Sequence, residues 1–409
     1  MNDFPPSPKP SAAGLPPGKT EHRLRSRNSR ALLLAAAFGV VLALGLFLRL
    51  DARPDEGRIG KQEAAYRGYL NDLIRGGLSS SANVAERYVE VQRSLPTANP
   101  PPTRPLFLGA AYAWHRLSGD DALAALRSVS CAASILTLVL SGVVAWRLGG
   151  WLLALGVSAL MATAPGQIAA AGVASGEPLL CALVLLALWA CWETLKRPRN
   201  PIILASYLLL LTLLSFSQEN TLFLIAGFFA LLATNHWINF GQRTWLVVSL
   251  TVIGPVFGVA ALVYLCGSGE VLRAIIALSA EARPVSTEAA PYMGDLLPQQ
   301  LSRVLGPNPL VILLALGVIF TVRPANHGVL FLLIFTLCTL ALLLSVGGES
   351  SGSSLALFDP PLRYLAVACI VWLSALSEKR APLVRTTAIL LLCAIDLHQA
   401  YRPLISGEG

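Results

Sequence analysis

Two adjacent carboxylates, Asp55 and Glu56, follow closely on the first long apolar run, which closes at Leu50. Carboxylates beside a hydrocarbon layer are costly unless water, a cation or a reacting partner meets them. Pro54-Asp55-Glu56-Gly57-Arg58 is therefore a candidate for proton transfer or cation binding, against the plainer reading of two solvated loop acids. A competing acid, Glu63, lies in Gln62-Glu63-Ala64-Ala65-Tyr66. Farther along stand Arg104, Glu177 and the pair Arg363-Tyr364. An arginine fork can grip phosphate oxygens through two hydrogen bonds, or it can simply anchor a helix end at the headgroups. Arg127 is expected to pair with Asp120 or Asp121, and His115 beside Trp114 suits an interfacial position better than catalysis.

The elements that must hold these residues are apolar helices. Only 13% of the 409 residues are charged and 55% are hydrophobic, about half the charge a soluble domain needs to cover its surface. The expected fold is an all-α polytopic membrane protein. The net charge of +8 is scattered between apolar runs instead of forming one basic stripe, which argues against a nucleic-acid partner. Residues 1–30 read as a disordered proline-rich and basic tail, 31–400 as the membrane domain and 401–409 as a short tail. Arg23, Arg25, Arg27 and Arg30 precede the run Ala31 to Leu50, which is long enough to span and too long for a cleaved signal. By the positive-inside bias the amino terminus is then cytoplasmic.

Residues 51–121 form a long first external loop with two amphipathic stretches, around 64–74 and 106–117, suited to interfacial helices. Ten further apolar runs bring the expected count to about eleven spans at roughly 20 residues each, several of them short. Loops on one side carry Arg147, Lys196, Arg197, Arg199, Arg243, Arg323, Lys379 and Arg380, while the other side, including a late loop at 267–307, carries acids. The seven cysteines lie in or beside apolar runs with no CxxC pair and read as small core residues. No HExxH, GxSxG or Walker segment is present, and the Gly- and Ser-rich stretch 347–354 reads as a flexible loop.

Taken in order, these residues resemble the GT-C class of membrane glycosyltransferases, in particular bacterial lipid A aminoarabinose transferases and protein mannosyltransferases. Pro54-Asp55-Glu56 after a first helix is similar to the acidic motif that opens that family's first external loop. Pro101-Pro102-Thr103-Arg104-Pro105-Leu106-Phe107 resembles its Lys-Pro-Pro-Leu segment, with arginine for lysine. Leu117-Ser118-Gly119 and Ala125-Leu126-Arg127 resemble its Phe-Gly and Arg-Leu positions, Glu177 falls where an acid is often found, and Arg363-Tyr364 looks like its late Arg-Tyr pair. An alternative alignment puts Glu63 in the acidic motif, with Gln62 where the family has aspartate; Asp55 is the preferred match.

The resemblance implies an enzyme that moves a sugar from a polyprenyl-phosphate donor to a lipid, glycan or protein acceptor on the external face of a bacterial-type inner membrane. Asp55 would be the general base, Glu56 or Glu177 would orient the acceptor or hold a divalent cation such as Mg or Mn, and Glu63 stays as the competing acid. Arg58, Arg104, Arg363 and Tyr364 would bind substrate, with membrane lipids as the surrounding partners. The rival readings are a non-enzymatic transporter or flippase and a catalytically inactive GT-C-like subunit. A transporter should carry ionisable groups in mid-span, and these spans look nearly free of them.

Overall fold

The computed structural model describes residues 17–52, 59–95, 100–217, 222–242, 245–281, 309–322, 326–346 and 355–406. Among them there are sixteen α-helices and no strand. The first, α1 (Pro17–Asp51), starts well before the expected Ala31, so the predicted tail is helical from Pro17 onward. Asp55, Glu56 and Arg58 lie outside the described residues.

The external loop folds into three helices. In α2 (Lys61–Gly76) the residues Glu63, Tyr66, Leu70 and Leu73 recur at helical spacing and make one buried face. Glu63 also closes the amino-terminal turn, its Oε2 accepting from the Gly60 amide at 3.3 Å. The next helix, α3 (Ser81–Ser94), is missing from the sequence reading, although Val84, Ala85, Tyr88 and Val89 form a short apolar stripe. Proline sets the start of α4 (Pro105–Ser118), and Gly119, at φ 77°, ends it in the left-handed region that suits glycine.

The core is built on α5 (Ala122–Gly149) and α8 (Glu177–Lys196), whose most apolar windows are 67% and 78% buried. Between them the chain makes a broken span, α6 (Trp151–Ala162) and α7 (Pro165–Gly172), bent by 53°. The break follows from Pro165, which cannot donate the hydrogen bond that would continue α6. A ladder of hydroxyls on α5 holds the far side of the break. Ser130 donates to the Ser175 carbonyl at 2.8 Å, Ser134 to that of Gln167 at 3.0 Å and Thr137 to that of Pro178 at 3.0 Å.

The remaining helices are α9 (Pro201–Ser217), α10 (Leu222–Ile238), α11 (Trp245–Leu265), α12 (Gly269–Glu281), α13 (Pro309–Thr321), α14 (His327–Val346), α15 (Asp359–Ala375) and α16 (Ala381–Ser406). The expected eleven spans are not confirmed. Among the described residues, five helices are long and apolar enough to cross a bilayer, or six if α6 and α7 count as one. Two shorter apolar helices, Pro201–Ser217 and Pro309–Thr321, have 17 and 13 residues. At 1.5 Å per residue these reach about 25 Å or less, short of the roughly 30 Å of hydrocarbon.

Candidate functional site

The Glu63 carboxylate is the meeting point of α2, α5 and the turn before α8. Arg127 Nε donates to its Oε1 at 2.9 Å and Arg127 Nη2 to its Oε2 at 3.0 Å, a bidentate pair. The Ala174 amide donates to Oε1 at 2.8 Å. Glu63 is only 2% exposed. Burial pushes its carboxyl up, but Arg127 and the Ala174 and Gly60 amides together hold it below the usual carboxylate range. The expected pairing of Arg127 with Asp120 or Asp121 is thus corrected. Asp121 turns back to accept from the Ala124 amide as the cap of α5, and Asp120 Oδ2 accepts from Trp114 Nε1. His115 Nδ1 lies 2.6 Å from the Asp120 carbonyl, so His115 and Trp114 both brace the turn between α4 and α5.

Arg104 immediately precedes α4 and points inward, 8% exposed. Its guanidinium lies over the Tyr66 ring, 5.6 Å from the centroid, and Tyr66 in turn meets Phe107 edge-on. A Cβ on Gly176 would sit 3.4 Å from both Arg104 Cδ and Phe107, so the arginine is seated against the turn that leads into Glu177. Arg104 Nε and Nη1 are buried and have no hydrogen-bond acceptor among the described residues. Such a charge is expensive to leave unmet, which makes it a ready receptor for an anion. Glu177 is half-buried at the start of α8, its amide 3.3 Å from Ser175 Oγ. The residues flanking Arg104, Thr103 and Pro105, line an apolar cavity of about 430 Å³ that runs between α3, α4 and α11 past Val84, Leu106, Phe216 and Leu262.

The other predicted arginine has a different fate. Arg363, on α15, is 2% exposed. It donates to Asp359 at 2.7 Å, to the Leu160 carbonyl at 2.9 Å and to the buried Asp396 of α16. Beside it Arg49, fully buried, donates to Ser134 Oγ and to the carbonyls of Gly45 and Met161, each at 2.9 Å, and to that of Ala162 at 3.3 Å. The two guanidiniums therefore satisfy the last carbonyls of α6, where the break leaves them without helical partners. Gly45 permits the approach, since a Cβ there would come within 3.0 Å of Ala162 Cβ. Tyr364 is buried next to this cluster, its hydroxyl packed over Gly149. Asp396 and the role of Arg49 escaped the sequence reading, and the expectation of spans nearly free of ionisable groups is corrected by them. A charged residue inside an apolar run is the signal that would have found both.

The fold thus brings Glu63, Arg104 and Glu177 to one corner, sets Arg363 in a second cluster at the broken span and packs Tyr364 against Gly149 at the end of α5. The chain enters 53–58 at Ala52, just after Arg49, and leaves it beside Gly60, which is bonded to Glu63. Among the described residues no three His, Cys, Asp or Glu side chains gather into a metal-binding set.

No family model matches the chain. No curated protein matches it in sequence. Solved structures do match it in fold. The apo crystal structure of ArnT from Cupriavidus metallidurans superposes on 92% of this chain and 75% of its own, at 13% identity and a TM-score of 0.50. ArnT bound to undecaprenyl phosphate gives 92% and 78%, 13% identity and a TM-score of 0.52. The apo oligosaccharyltransferase of Archaeoglobus fulgidus matches 90% of this chain at 12% identity and a TM-score of 0.57, and this chain spans only about half, 55%, of its length. What these chains share with the present one, across nearly all of its length, is the helical membrane fold of the GT-C glycosyltransferases.

Proposed function

We infer that the protein is a membrane glycosyltransferase that moves a sugar from a polyprenyl-phosphate donor to a lipid, glycan or protein acceptor. The observation that carries this reading is Arg104, a buried guanidinium with two nitrogens unmet among the described residues, one residue away from an apolar cavity. A lipid phosphate has both parts such a site takes, an anion and a hydrocarbon chain. Support comes from ArnT, solved with undecaprenyl phosphate, and from the archaeal oligosaccharyltransferase AglB, solved with a dolichol-phosphate and an inhibitory peptide.

In the proposed step an acceptor hydroxyl or amine attacks the anomeric carbon as the bond to the donor phosphate breaks. Asp55 takes the acceptor proton, and the leaving lipid phosphate, which gains negative charge, is bound by Arg104 and Arg58. Glu56 and Glu177 orient the acceptor. Glu63 suits the base role poorly, because both of its oxygens are already engaged by Arg127 and two amides. Arg363 acts on the reaction only through the broken span it holds, and Tyr364 only through its packing at the end of α5. A crystal structure of the archaeal oligosaccharyltransferase contains Zn and sulfate. The described acids of the present chain do not form a set that fits a divalent cation, and the step above is routed through none. With Arg23 to Arg30 in the cytoplasm, the site faces outward.

The test is transfer from a panel of radiolabelled polyprenyl-phosphate sugars by purified protein. Asp55→Asn should abolish transfer while the protein stays folded, and Glu63→Gln should lower the yield of folded protein before it lowers the rate per folded molecule. Loss of rate in folded Glu63→Gln alone would transfer the base role to Glu63. Wild-type protein that transfers none of the sugars but moves the lipid across vesicles would replace the enzyme with a flippase.

A further inference from the structure

At 20 residues, α8 is about 30 Å long, so its Lys196 end lies on the membrane face opposite Arg104 and Glu177. There the chain turns through Arg197-Pro198-Arg199-Asn200 into α9. The turn is built: Arg197 donates its amide to the Glu193 carbonyl at 2.8 Å and Asn200 its amide to the Arg197 carbonyl at 3.1 Å. Asn200 Oδ1 accepts from the amides of Ile202 and Ile203 at 3.0 and 3.4 Å, which leaves its Nδ2 hydrogens as donors.

A second wall comes from the loop between α10 and α11. The Gln242 amide donates to the Leu195 carbonyl at 2.8 Å. Gly241 lies so close to that residue that a Cβ would fall 2.3 Å from the Leu195 oxygen. The Asn235 amide clasps Gly241 from the other side, Nδ2 donating to its carbonyl at 3.0 Å and Oδ1 accepting from its N–H at 3.2 Å. Between the two walls is a concavity of about 350 Å³ lined by Arg197, Pro198, Arg199, Asn200 and Gln242.

The charge in this corner is one-sided. Glu193 is the carboxylate there, and it is taken by Arg147 at 3.1 Å, with Arg197 at a looser 3.9 Å. Lys196 stands over Trp192 at 4.1 Å. Arg199 makes no ion pair among the described residues. Close by in the chain, Ile202, two residues after Asn200, is 75% exposed and Trp245, three after Gln242, is 81% exposed, apolar groups of the kind found where a protein meets the headgroup layer.

We propose that the concavity between the α8–α9 turn and the Gln242 loop binds the phosphodiester headgroup of an anionic phospholipid in the leaflet opposite the Arg104 site. The lining offers two guanidinium forks and side-chain amides, and a phosphodiester offers only acceptors and one negative charge. Ile202 and Trp245, exposed and apolar beside the two walls in the chain, suit the acyl chains and glycerol of such a lipid and have no use for a free phosphate. This reading is independent of the transferase activity and of the donor site.

The test uses the purified full chain in neutral detergent, with retained phosphatidylglycerol measured by native mass spectrometry against phosphatidylcholine of the same chains. Wild type should keep one phosphatidylglycerol preferentially. Arg197→Gln/Arg199→Gln should weaken it by about thirtyfold, at roughly a factor of five for each basic residue near the anionic headgroup. Lys379→Gln/Arg380→Gln, which removes two exposed cations elsewhere, should leave it in place. Equal loss in both double variants would mean diffuse attraction, and unchanged binding in the first would mean another site; either result overturns the proposal. Displacement of the lipid by millimolar inorganic phosphate would assign the concavity to a soluble anion and overturn it too. If the double variant fails to fold, Arg199→Gln alone carries the same reading, with about a fivefold loss.

Discussion

Arg104 and Arg363 are both arginines withdrawn from water, 8% and 2% exposed, and their surroundings are opposite. Arg363 is met by two carboxylates and a helix-end carbonyl, so its charge is consumed by architecture. Arg104 has an aromatic ring below it and two nitrogens with no acceptor among the described residues. A buried charge that the chain neutralises holds helices together. A buried charge that it leaves unmet is kept for something that arrives from outside.

The widest separation should come from removing each charge in turn. Arg104→Gln should cut sugar transfer by roughly a hundredfold or more, the scale for losing one donor to developing negative charge, while leaving thermal unfolding of the purified protein unchanged or slightly later. Arg363→Gln should act the other way, destabilising the protein by about 3–5 kcal/mol because the fully buried Asp396 loses the guanidinium that offsets its charge. If Arg104→Gln unfolds the protein as readily as Arg363→Gln, the two sites are alike and the contrast fails.

A middle case is Glu63, which is neutralised like Arg363 but sits in the corner of Arg104. Its depressed pKa means that the stability it adds is present in full above the ordinary value of 4.5 and is lost as pH falls through the lower folded value. The protection of α2 amides against hydrogen exchange, relative to the intrinsic rate at each pH, should therefore stay high at neutral pH and fall only in acid below pH 4.5. In Glu63→Gln the exchange should already be faster at neutral pH and should lose that acid step. An acid step that survives in the variant would place the titrating group elsewhere.

The smallest effect is expected at Gly176. A Cβ there would stand 3.4 Å from Arg104 Cδ and Phe107, an ordinary contact, so Gly176→Ala should shift the unfolding midpoint by an amount equivalent to about 0.5 kcal/mol or less. Gly176→Val adds carbons with nowhere to go and should lower transfer through Arg104 more than it lowers stability. Equal activity in Gly176→Val and wild type would show that the seat of Arg104 does not matter.

Much of the local structure was legible in the residues. Apolar run lengths found α1, α5, α8 and α11, and the stripes at 64–74 and 106–117 found α2 and α4. The span count was not legible, since the difference between a 17-residue helix and a crossing one is a few residues at ends that carry no sharp cap. The helix α3 was lost because its four apolar positions are too few to stand out in a polar loop. Within the corner of Glu63, the residues Glu63, Arg104, Arg127 and Glu177 were all visible as polar residues at the ends of apolar runs.

Residue type and spacing determined that the chain is helical, enters a membrane and carries a few costly charges beside it, because apolar length and polar punctuation are local properties. Which charge meets which was decided only by the fold. Arg127 and Glu63 are 64 positions apart and Arg363 and Asp396 are 33 apart, and each pair closes across helices whose packing no window of sequence contains. Arg104 finds no acceptor for Nε and Nη1 among the described residues for the same reason: whether a carboxylate reaches a guanidinium depends on distance in space.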